Sequence, residues 1–309
     1  MPVKTHPLAR AMDQWWHEHG GNHESPQWAA FIEAKAILIA TKHNELLSPH
    51  DNAGCFGMSK AGGCTRSAGL KWLGHKGEPF TGSTRWVFQC GHDGEVNVLA
   101  TLTAMGYPVL GTQAPARIEP FMHSFSDGLL EEFERKRTVV GVKTAGYKMS
   151  GRNRDGSWKR YGFAQLPLDG VLAAQPGHYA QAQAEMHAHG AEQFLYIAAA
   201  KDMIAAMKDD PIMKESGSLA FYVELIPYNK PWVTTQLLPT WKTQWADVQA
   251  GEPGEPMFLN GRSATYVKLP KPGSANKDDN KDATGSYNAC VYCDLRAACP
   301  QAAKKEQAA

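Results

Sequence analysis

The sequence predicts an α/β protein with a mixed central sheet flanked by helices. The first fifty residues carry two helix-like stretches rich in Trp, Ala and Ile, around Leu8–His19 and Gln27–Lys42. Short segments with strand character follow, and a further helix separates them from two apolar strands. This order of helix, strands, helix and strand is typical of a mixed sheet with helices packed against it.

The other elements have local signals of their own. A helical pattern resumes near Glu95 and ends at Gly106, and a later helix covers roughly His178–His189 and ends at Gly190. The polar stretch 148–165 predicts a mobile loop, and residues 270–288 predict a linker or flap of low hydrophobicity. The segments with strand character are Arg117–Phe125, Asp127–Phe133, Thr138–Thr144, Phe194–Ala200 and Leu219–Ile226.

Composition limits the class of protein. The chain has 309 residues, of which 43% are hydrophobic and 20% charged, so it can bury a substantial core. Its 32 Lys+Arg nearly balance 31 Asp+Glu, so a nucleic-acid partner would need a local basic patch. No apolar run approaches the roughly 18 to 20 residues that span a bilayer, and the first residues lack the pattern of a signal peptide. We therefore expect a cytoplasmic protein whose thiols stay reduced.

Three of the six cysteines form a compact motif near the C-terminus. Cys290, Cys293 and Cys299 make a C-x2-C-x5-C pattern, which is a fairly specific metal signal in a reducing compartment. A tetrahedral or cubane site needs a fourth soft ligand, and the remaining candidates are Cys55, Cys64 and Cys90. The spacing does not separate zinc from an iron–sulfur cluster. The alternative is a C-terminal motif that holds no metal.

A second set of signals lies between these cysteines. HSFSDG places Asp127 at a strand edge, and RTVVGVKTAG places Lys143 at the end of an apolar strand. An acid and a lysine on neighbouring strands can share a site, in which the acid holds Mg²⁺ or Mn²⁺ and the lysine steadies developing charge. On these two residues alone, an ordinary turn acid and a solvent-facing lysine are the simpler interpretation.

The cysteine pattern resembles that of the iron–sulfur nucleases. Ser59, Cys64 and Arg66, followed by the C-terminal motif, resemble the CRISPR-associated RecB-like exonucleases, the AddB nuclease subunit and related phage-encoded exonucleases. The resemblance implies a structural [4Fe–4S] cluster with Cys64 as fourth ligand and Cys55 as its competitor. Cys90 is then expected to be a small buried residue.

The order of the motifs resembles the PD-(D/E)XK nuclease superfamily over about residues 55–300. The resemblance implies that Glu95, in GHDGE, is the first metal-side acid and that His92 could reach the same site. It implies that Asp127 binds the metal and that Lys143 is the motif lysine. Gln181 would position DNA or the lysine, with Gln183 as the second choice.

The sequence departs from this family pattern at two positions. Ser124 stands where the family usually has glycine before its aspartate, which is a mild change. Gly141 stands where the acid of (D/E)-x-K belongs, so that a carboxylate is missing from the expected set. Candidates for a migrated carboxylate are Glu131, Glu132 and Glu134.

Basic and aromatic residues alternate just after the motif lysine. Lys148, Arg152 and Arg154 could contact phosphates, and Tyr179 on the following helix could contact DNA. A solvated loop is the alternative interpretation. Together the resemblance implies a Mg²⁺- or Mn²⁺-dependent DNA exonuclease acting on DNA ends in recombination or DNA processing, with a helicase or recombination partner left open.

Two rival interpretations remain. One is a catalytically impaired DNA-binding or adaptor protein of the same fold, which Gly141 favours. The other is a zinc-stapled protein of unrelated fold. We divide the chain into an N-terminal helical extension (1–54), a nuclease-like domain with iron–sulfur arms (55–300) and a disordered tail (301–309).

Overall fold

The computed structural model describes residues 5–47, 55–77, 79–152, 158–201, 210–218, 220–254, 257–259, 264–266, 295 and 298–299. For residues 42–47, 147–152, 158–159, 161, 257–258 and 264–266 it describes the backbone only. The predicted segments 270–288 and 301–309 lie outside these residues.

The described chain alternates between helices and strands. The helices are α1 (Leu8–His19), α2 (Pro26–Leu47), α3 (Thr65–Trp72), α4 (Gly82–Ala104), α5 (Leu166–Ala174), α6 (Pro176–His189), α7 (Pro211–Ser216), α8 (Lys230–Trp232) and α9 (Leu238–Gln249). The strands are β1 (Phe56–Gly57), β2 (Ala114–Ile118), β3 (Met122–Ser126), β4 (Gly128–Phe133), β5 (Lys136–Ala145), β6 (Tyr147–Arg152), β7 (Trp158–Gly162), β8 (Gln193–Ala200), β9 (Phe221–Pro227), β10 (Met257–Leu259) and β11 (Ala264–Tyr266). Val233–Leu237 forms a π-helical segment between α8 and α9.

The central sheet is mixed, as the sequence predicts. Its strand order is β4-β5-β8-β9, in which β5 and β8 are parallel and both outer pairs are antiparallel. The continuous apolar sequences of β5 and β8 fit strands that are covered on both faces. The parallel connection between them runs through α5 and α6, because parallel neighbours need a long crossover.

Side chains of the sheet alternate between two cores. On one face Val140, Val142 and Leu195 pack in a cluster with residues of α1, α2 and α4. On the other face Val139 and Phe194 pack in a cluster with residues of α6 and α9. This period-two alternation makes the central part of the molecule a sheet between two helical layers. The mixed α/β architecture flanked by helices is therefore confirmed.

A smaller sheet precedes β4, the edge strand of the central sheet, along the chain. Its order is β1-β3-β2, with β1 parallel and β2 antiparallel to β3. β3 ends at Ser126, and β4 begins at Gly128, so that Asp127 alone connects the two sheets. The predicted strand Arg117–Phe125 is thus two strands, β2 and β3, joined by a turn.

One predicted loop and the predicted start of one helix are wrong. The predicted loop 148–165 contains the antiparallel hairpin β6–β7, in which Tyr147 pairs with Gly162. The Gly and Arg residues of this segment predict a loop, although its aromatic residues favour strands. Helix α4 begins at Gly82 rather than near Glu95, with Thr81 accepting a hydrogen bond from the backbone N–H of Thr84. Within the described residues, no helix combines the length and apolarity needed to cross a membrane.

Steric contact with a neighbouring strand accounts for the glycine at position 141, in the middle of β5. A Cβ at this position would overlap the ring of Phe194, which lies on the neighbouring strand β8 and is 3% exposed. The aromatic ring therefore occupies the space that any side chain at position 141 would need. This contact explains why the strand carries glycine there.

Replacing Gly141 by Ala should lower the free energy of unfolding by about 1–3 kcal/mol, the usual cost of overpacking a core. Chemical denaturation measures the change. Gly82→Ala is the matched control, because a Cβ there meets nothing within 4 Å, and it should be neutral or mildly stabilising. Equal stability of Gly141→Ala and the wild type would show that Phe194 does not fill this space.

Candidate active site

Asp127 is attached directly to the backbone of β5. Its Oδ2 accepts a hydrogen bond of 2.7 Å from the backbone N–H of Val142. Because Gly128 pairs with Val140, the aspartate lies opposite the Gly141–Val142 step of β5. Lys143 is the next residue along this strand and is half-buried. The structure therefore brings the predicted aspartate and lysine to the same end of two neighbouring strands.

Helix α6 adds a second carboxylate to this end of the sheet. Glu185 is 2% exposed, and its Oε1 accepts hydrogen bonds from Gln181 Nε2 at 2.8 Å and from Ser124 Oγ at 3.0 Å. Its Oε2 accepts a bond of 3.3 Å from Ser126 Oγ. Both serines lie on β3, the strand that leads into Asp127. The carboxylate is therefore held beside the point where β3 ends.

The ionisation of Glu185 reflects this position. Burial raises the pKa of its carboxyl from the ordinary value of 4.5 to about 7. The hydrogen bond from Gln181 lowers this pKa, the charge of Asp127 raises it, and the charge of Lys143 lowers it. The two carboxylates and the ammonium group are thus close enough to influence one another.

Lys143 also acts on a histidine at the start of α6. Burial and, to a smaller extent, the positive charge of Lys143 together lower the pKa of His178 to about 4. The ring Nδ1 of His178 lies 2.9 Å from the hydroxyl of Tyr196, which faces Gly141 in the strand register. His178 is therefore neutral at physiological pH and adds no charge that would compete with Lys143.

Glu95 lies on α4, which covers the opposite face of the sheet. It is 9% exposed, and its Oε1 accepts a bond of 3.3 Å from Gln113 Nε2. Gln113 directly precedes Ala114, which pairs with Ser126 in the smaller sheet. Ser126 in turn directly precedes Asp127. Gly91 and Gly94 of the same helix approach Thr144. His92 is exposed on this helix.

The carboxylates proposed to replace the missing acid lie elsewhere. Glu131, Glu132 and Glu134 are exposed and lie toward the β4–β5 turn, at the end of β4 remote from Asp127. Glu134 pairs instead with His6, whose Nε2 lies 2.8 Å from its Oε1. These three candidates are therefore wrong. Sequence reasoning missed Glu185, although its position one helical turn after Gln181 was a usable signal.

The predicted DNA contacts are partly corrected. Tyr179 is 7% exposed and packs edge-on against Trp232 at 5.8 Å, so its ring belongs to the core and not to a binding surface. Gln183 is also buried and bonds the backbone at Pro227 and Asn229, which leaves Gln181 as the glutamine at the site. Of the basic residues, Lys148 and Arg152 lie in β6, where only the backbone is described, and Arg154 lies outside the described residues.

The cysteines are described in part. Cys64 precedes α3 as its N-cap residue and is half-buried, as is Cys299, whereas Cys290 and Cys293 lie outside the described residues. Cys55 donates to the backbone oxygen of Pro120 at 3.3 Å. Cys90 is exposed on α4, so the expectation of a buried residue is wrong.

Helix α3 is held against a later part of the chain. The Nε of Arg66 donates a bond of 2.6 Å to the backbone oxygen of Gly254, and Gly69 leaves room for Pro253 and Gln244. This segment directly precedes the C-terminal part of the chain in sequence. Thiolates such as those of Cys64 and Cys299 are chemically suited to a soft metal or cluster.

The site can hold a hard cation with only two protein carboxylates. In the part of the chain that the structure describes, no three His, Cys, Asp or Glu side chains stand close enough to hold a metal. Mg²⁺, however, usually takes only one or two protein carboxylates and completes its shell with water and substrate phosphate. Asp127 and Glu185 supply such a pair, and Asp127 keeps one oxygen outside its bond to Val142.

A cleft of about 370 Å³ opens on the α4 face of the sheet, opposite the face that carries Lys143 and Glu185. It lies between α4 and the ends of β5 and β8, and Thr144, which follows Lys143, is part of its wall. Oδ1 of Asn97 is buried there without a hydrogen-bond partner in the described chain. The polar and aromatic residues of the wall are Trp16, Cys90, Asp93, Asn97, Thr144, Lys201 and Phe221.

No protein-family model matches the chain, and no protein of curated function matches it either. Some solved structures are similar over part of its length. An alkaline exonuclease from Laribacter hongkongensis is 11% identical, with a TM-score of 0.38, over 64% of this chain and 88% of that one. A phage-related exonuclease from Haemophilus somnus 129PT is 12% identical, with a TM-score of 0.38, over 60% of this chain and 78% of that one. These structural neighbours are exonucleases of low sequence identity.

Replacing Glu185 by Gln should stabilise the metal-free protein above pH 7 and leave its stability near pH 4 unchanged. The unfolded chain releases this proton near pH 4.5, whereas the folded chain keeps it to about pH 7, so wild-type stability falls as the pH rises between these values. The difference amounts to about 3.5 kcal/mol above pH 7, at about 1.4 kcal/mol per pH unit.

Urea denaturation of both proteins in EDTA across this pH range measures the effect. Glu132→Gln is the matched control, because Glu132 is exposed on β4 and its replacement should leave the pH profile unchanged. Identical pH profiles for the wild type and Glu185→Gln would contradict the assigned burial.

Proposed function

We propose that the chain is a divalent-metal-dependent DNA exonuclease. The observation that carries this proposal is the meeting of Asp127 and Lys143 at one end of two paired strands, with Gln181 arriving from the next helix. A carboxylate and an ammonium group placed together can serve a reaction at a phosphodiester, which is itself negatively charged. The order and placement of these groups are those that the nuclease resemblance leads us to expect.

Each residue has a role in this proposal. Asp127 would hold Mg²⁺ or Mn²⁺, and Glu95 would support the same site from α4. The bound cation would polarise the phosphate and help to activate the attacking water. Lys143 would stabilise the negative charge that develops on the phosphate oxygens. Gln181, fixed by its bond to Glu185, would position the substrate or the lysine.

The cleft on the α4 face of the sheet is large enough for a small ligand. Its volume of about 370 Å³ lies in the range usual for small-molecule sites. Trp16 offers an aromatic wall, and the amide of Asn97 offers an acceptor that a base could satisfy. We propose Lys148, Arg152 and Arg154 as candidate contacts to DNA phosphates. The substrate would be DNA ends met in recombination or processing, in the cytoplasm of a host cell.

A structural [4Fe–4S] cluster is proposed for the cysteine motif. Cys64, Cys290, Cys293 and Cys299 would be its ligands, and the bond from Arg66 to Gly254 supports the approach of the first ligand to the C-terminal part of the chain. A link from residue 64 to residue 290 would close a loop of more than 200 residues. Such a link stabilises mainly by restricting the unfolded chain.

A second candidate function is a DNA-end-binding adaptor without catalysis. It is favoured by Gly141, where the ring of Phe194 fills the place of the expected acid. An adaptor would keep the fold and the DNA surface and would bind ends in the same manner whether or not metal is added.

Lys143→Ala and Asp127→Asn should each reduce cleavage of labelled linear DNA by about 100-fold or more in Mn²⁺, since each removes a charge at the reacting phosphate. Asn at position 127 can still accept the bond from Val142, so the fold should be kept. Gel analysis of product against time measures the loss.

Lys136→Ala is the matched control, because Lys136 lies exposed at the other end of β5 and should be dispensable. Wild-type protein that binds DNA ends but degrades none of them in Mg²⁺ or Mn²⁺ would replace the exonuclease by the adaptor.

Cys64→Ser should abolish iron binding and lower thermal stability, because it removes one cluster ligand. Iron content per chain and visible absorbance that bleaches with dithionite measure the cluster. Cys90→Ser is the control, since Cys90 is exposed on α4 and is not a proposed ligand. A colourless protein containing zinc, or equal iron in both variants, would refute the assignment.

A further inference from the structure

The missing acid of β5 leaves a chemical gap at the site. Asp127 then remains as the strand carboxylate of the site, with Glu95 approaching only from α4 on the opposite face of the sheet, and Mg²⁺ sites commonly use up to two carboxylates besides phosphate and water. The gap cannot be filled from position 141, because the ring of Phe194 occupies that space. Among the described acids, the exposed glutamates of β4 lie at the wrong end of the strand.

We propose that Glu185 of α6 takes the place of this acid and forms, with Asp127, the cation site of the enzyme. The proposal rests on the proposed nuclease function. It moves a metal-holding carboxylate from the strand to the following helix, on the same face of the sheet as Lys143 and Gly141.

Two serines of one strand fix the position of Glu185. Ser124 and Ser126 donate to its two oxygens at 3.0 and 3.3 Å, and Asp127 follows Ser126 directly. From the side of the helix, Gln181 donates at 2.8 Å and sets the rotamer one turn away. A carboxylate held by three donors at the end of β3 is already oriented, so a cation arriving there would require little rearrangement.

The electrostatic setting favours a cation. Glu185 is 2% exposed and lies within the influence of the half-buried Asp127, so two acids lie close together at the edge of the core. Lys143 compensates only one of them. Two neighbouring carboxylates in a buried place are stable together when a further positive charge or a shared proton joins them. A divalent cation supplies that charge.

A purely structural role for Glu185 makes a different prediction. If the side chain only tied α6 to β3, its amide counterpart would keep those contacts and leave metal binding as it was. Glu185→Gln retains an oxygen for the serines, and it removes the charge that a cation needs. Metal affinity therefore separates the two roles.

The test measures Mn²⁺ binding to the full chain by isothermal titration calorimetry, for the wild type, Glu185→Gln and Glu132→Gln. We expect affinity to fall by at least about 10-fold to 100-fold in Glu185→Gln, since loss of even an outer partner of a metal ligand costs that much. Glu132→Gln, on the exposed part of β4, should bind as the wild type does. Circular dichroism verifies that each variant is folded.

A rescue variant strengthens the test. Gly141→Asp combined with Phe194→Ala, in the Glu185→Gln chain, returns an acid to β5 and empties the space that the ring fills. Recovery of Mn²⁺ affinity in this triple variant supports the proposal. Unchanged affinity in Glu185→Gln, or a wild type that binds no Mn²⁺, would overturn it.

The outcomes for Glu185 and for the nuclease function are distinguishable. Mn²⁺ binding that depends on Glu185, without cleavage of linear DNA, would sustain the cation site and refute the exonuclease. Metal-dependent cleavage that is equal in the wild type and Glu185→Gln would sustain the exonuclease and refute this role of Glu185.

Discussion

The hydrogen bond from the backbone N–H of Val142 to Asp127 is the contact on which the site depends. Asp127 is the single residue between β3 and β4, and this bond of 2.7 Å attaches it to the backbone of β5. It therefore joins the smaller sheet to the central sheet at the position of Lys143.

The same contact explains how the two helical layers converge. α6 reaches β3 through the bonds from Ser124 and Ser126 to Glu185, on one face of the sheet. On the other face, α4 approaches Thr144 closely because Gly91 and Gly94 carry no side chains. The ends of β5 and β8 thus lie between an acidic, buried corner and an open cleft.

Sequence reasoning could predict the elements whose signals are local. The apolar run of β5, the bounds of α1 and the left-handed Gly190 that ends α6 all follow from spacing and turn chemistry. The resemblance in motif order predicted that Asp127 and Lys143 share a site. What it could not predict depends on contacts across strands. The clash between a side chain at Gly141 and Phe194, and the burial of Glu185 against β3, appear only when β5, β8 and α6 are brought together.

The central claim is that Asp127 and Glu185 share one cation beside Lys143. Anomalous diffraction at the manganese edge, from crystals of the full chain grown with Mn²⁺, tests it most directly. The account predicts one peak at a distance of about 2.1 Å from an oxygen of each carboxylate, close to the usual distance for a hard cation of this size. A peak bound by other residues, with Glu185 still held only by its serines and Gln181, would contradict it.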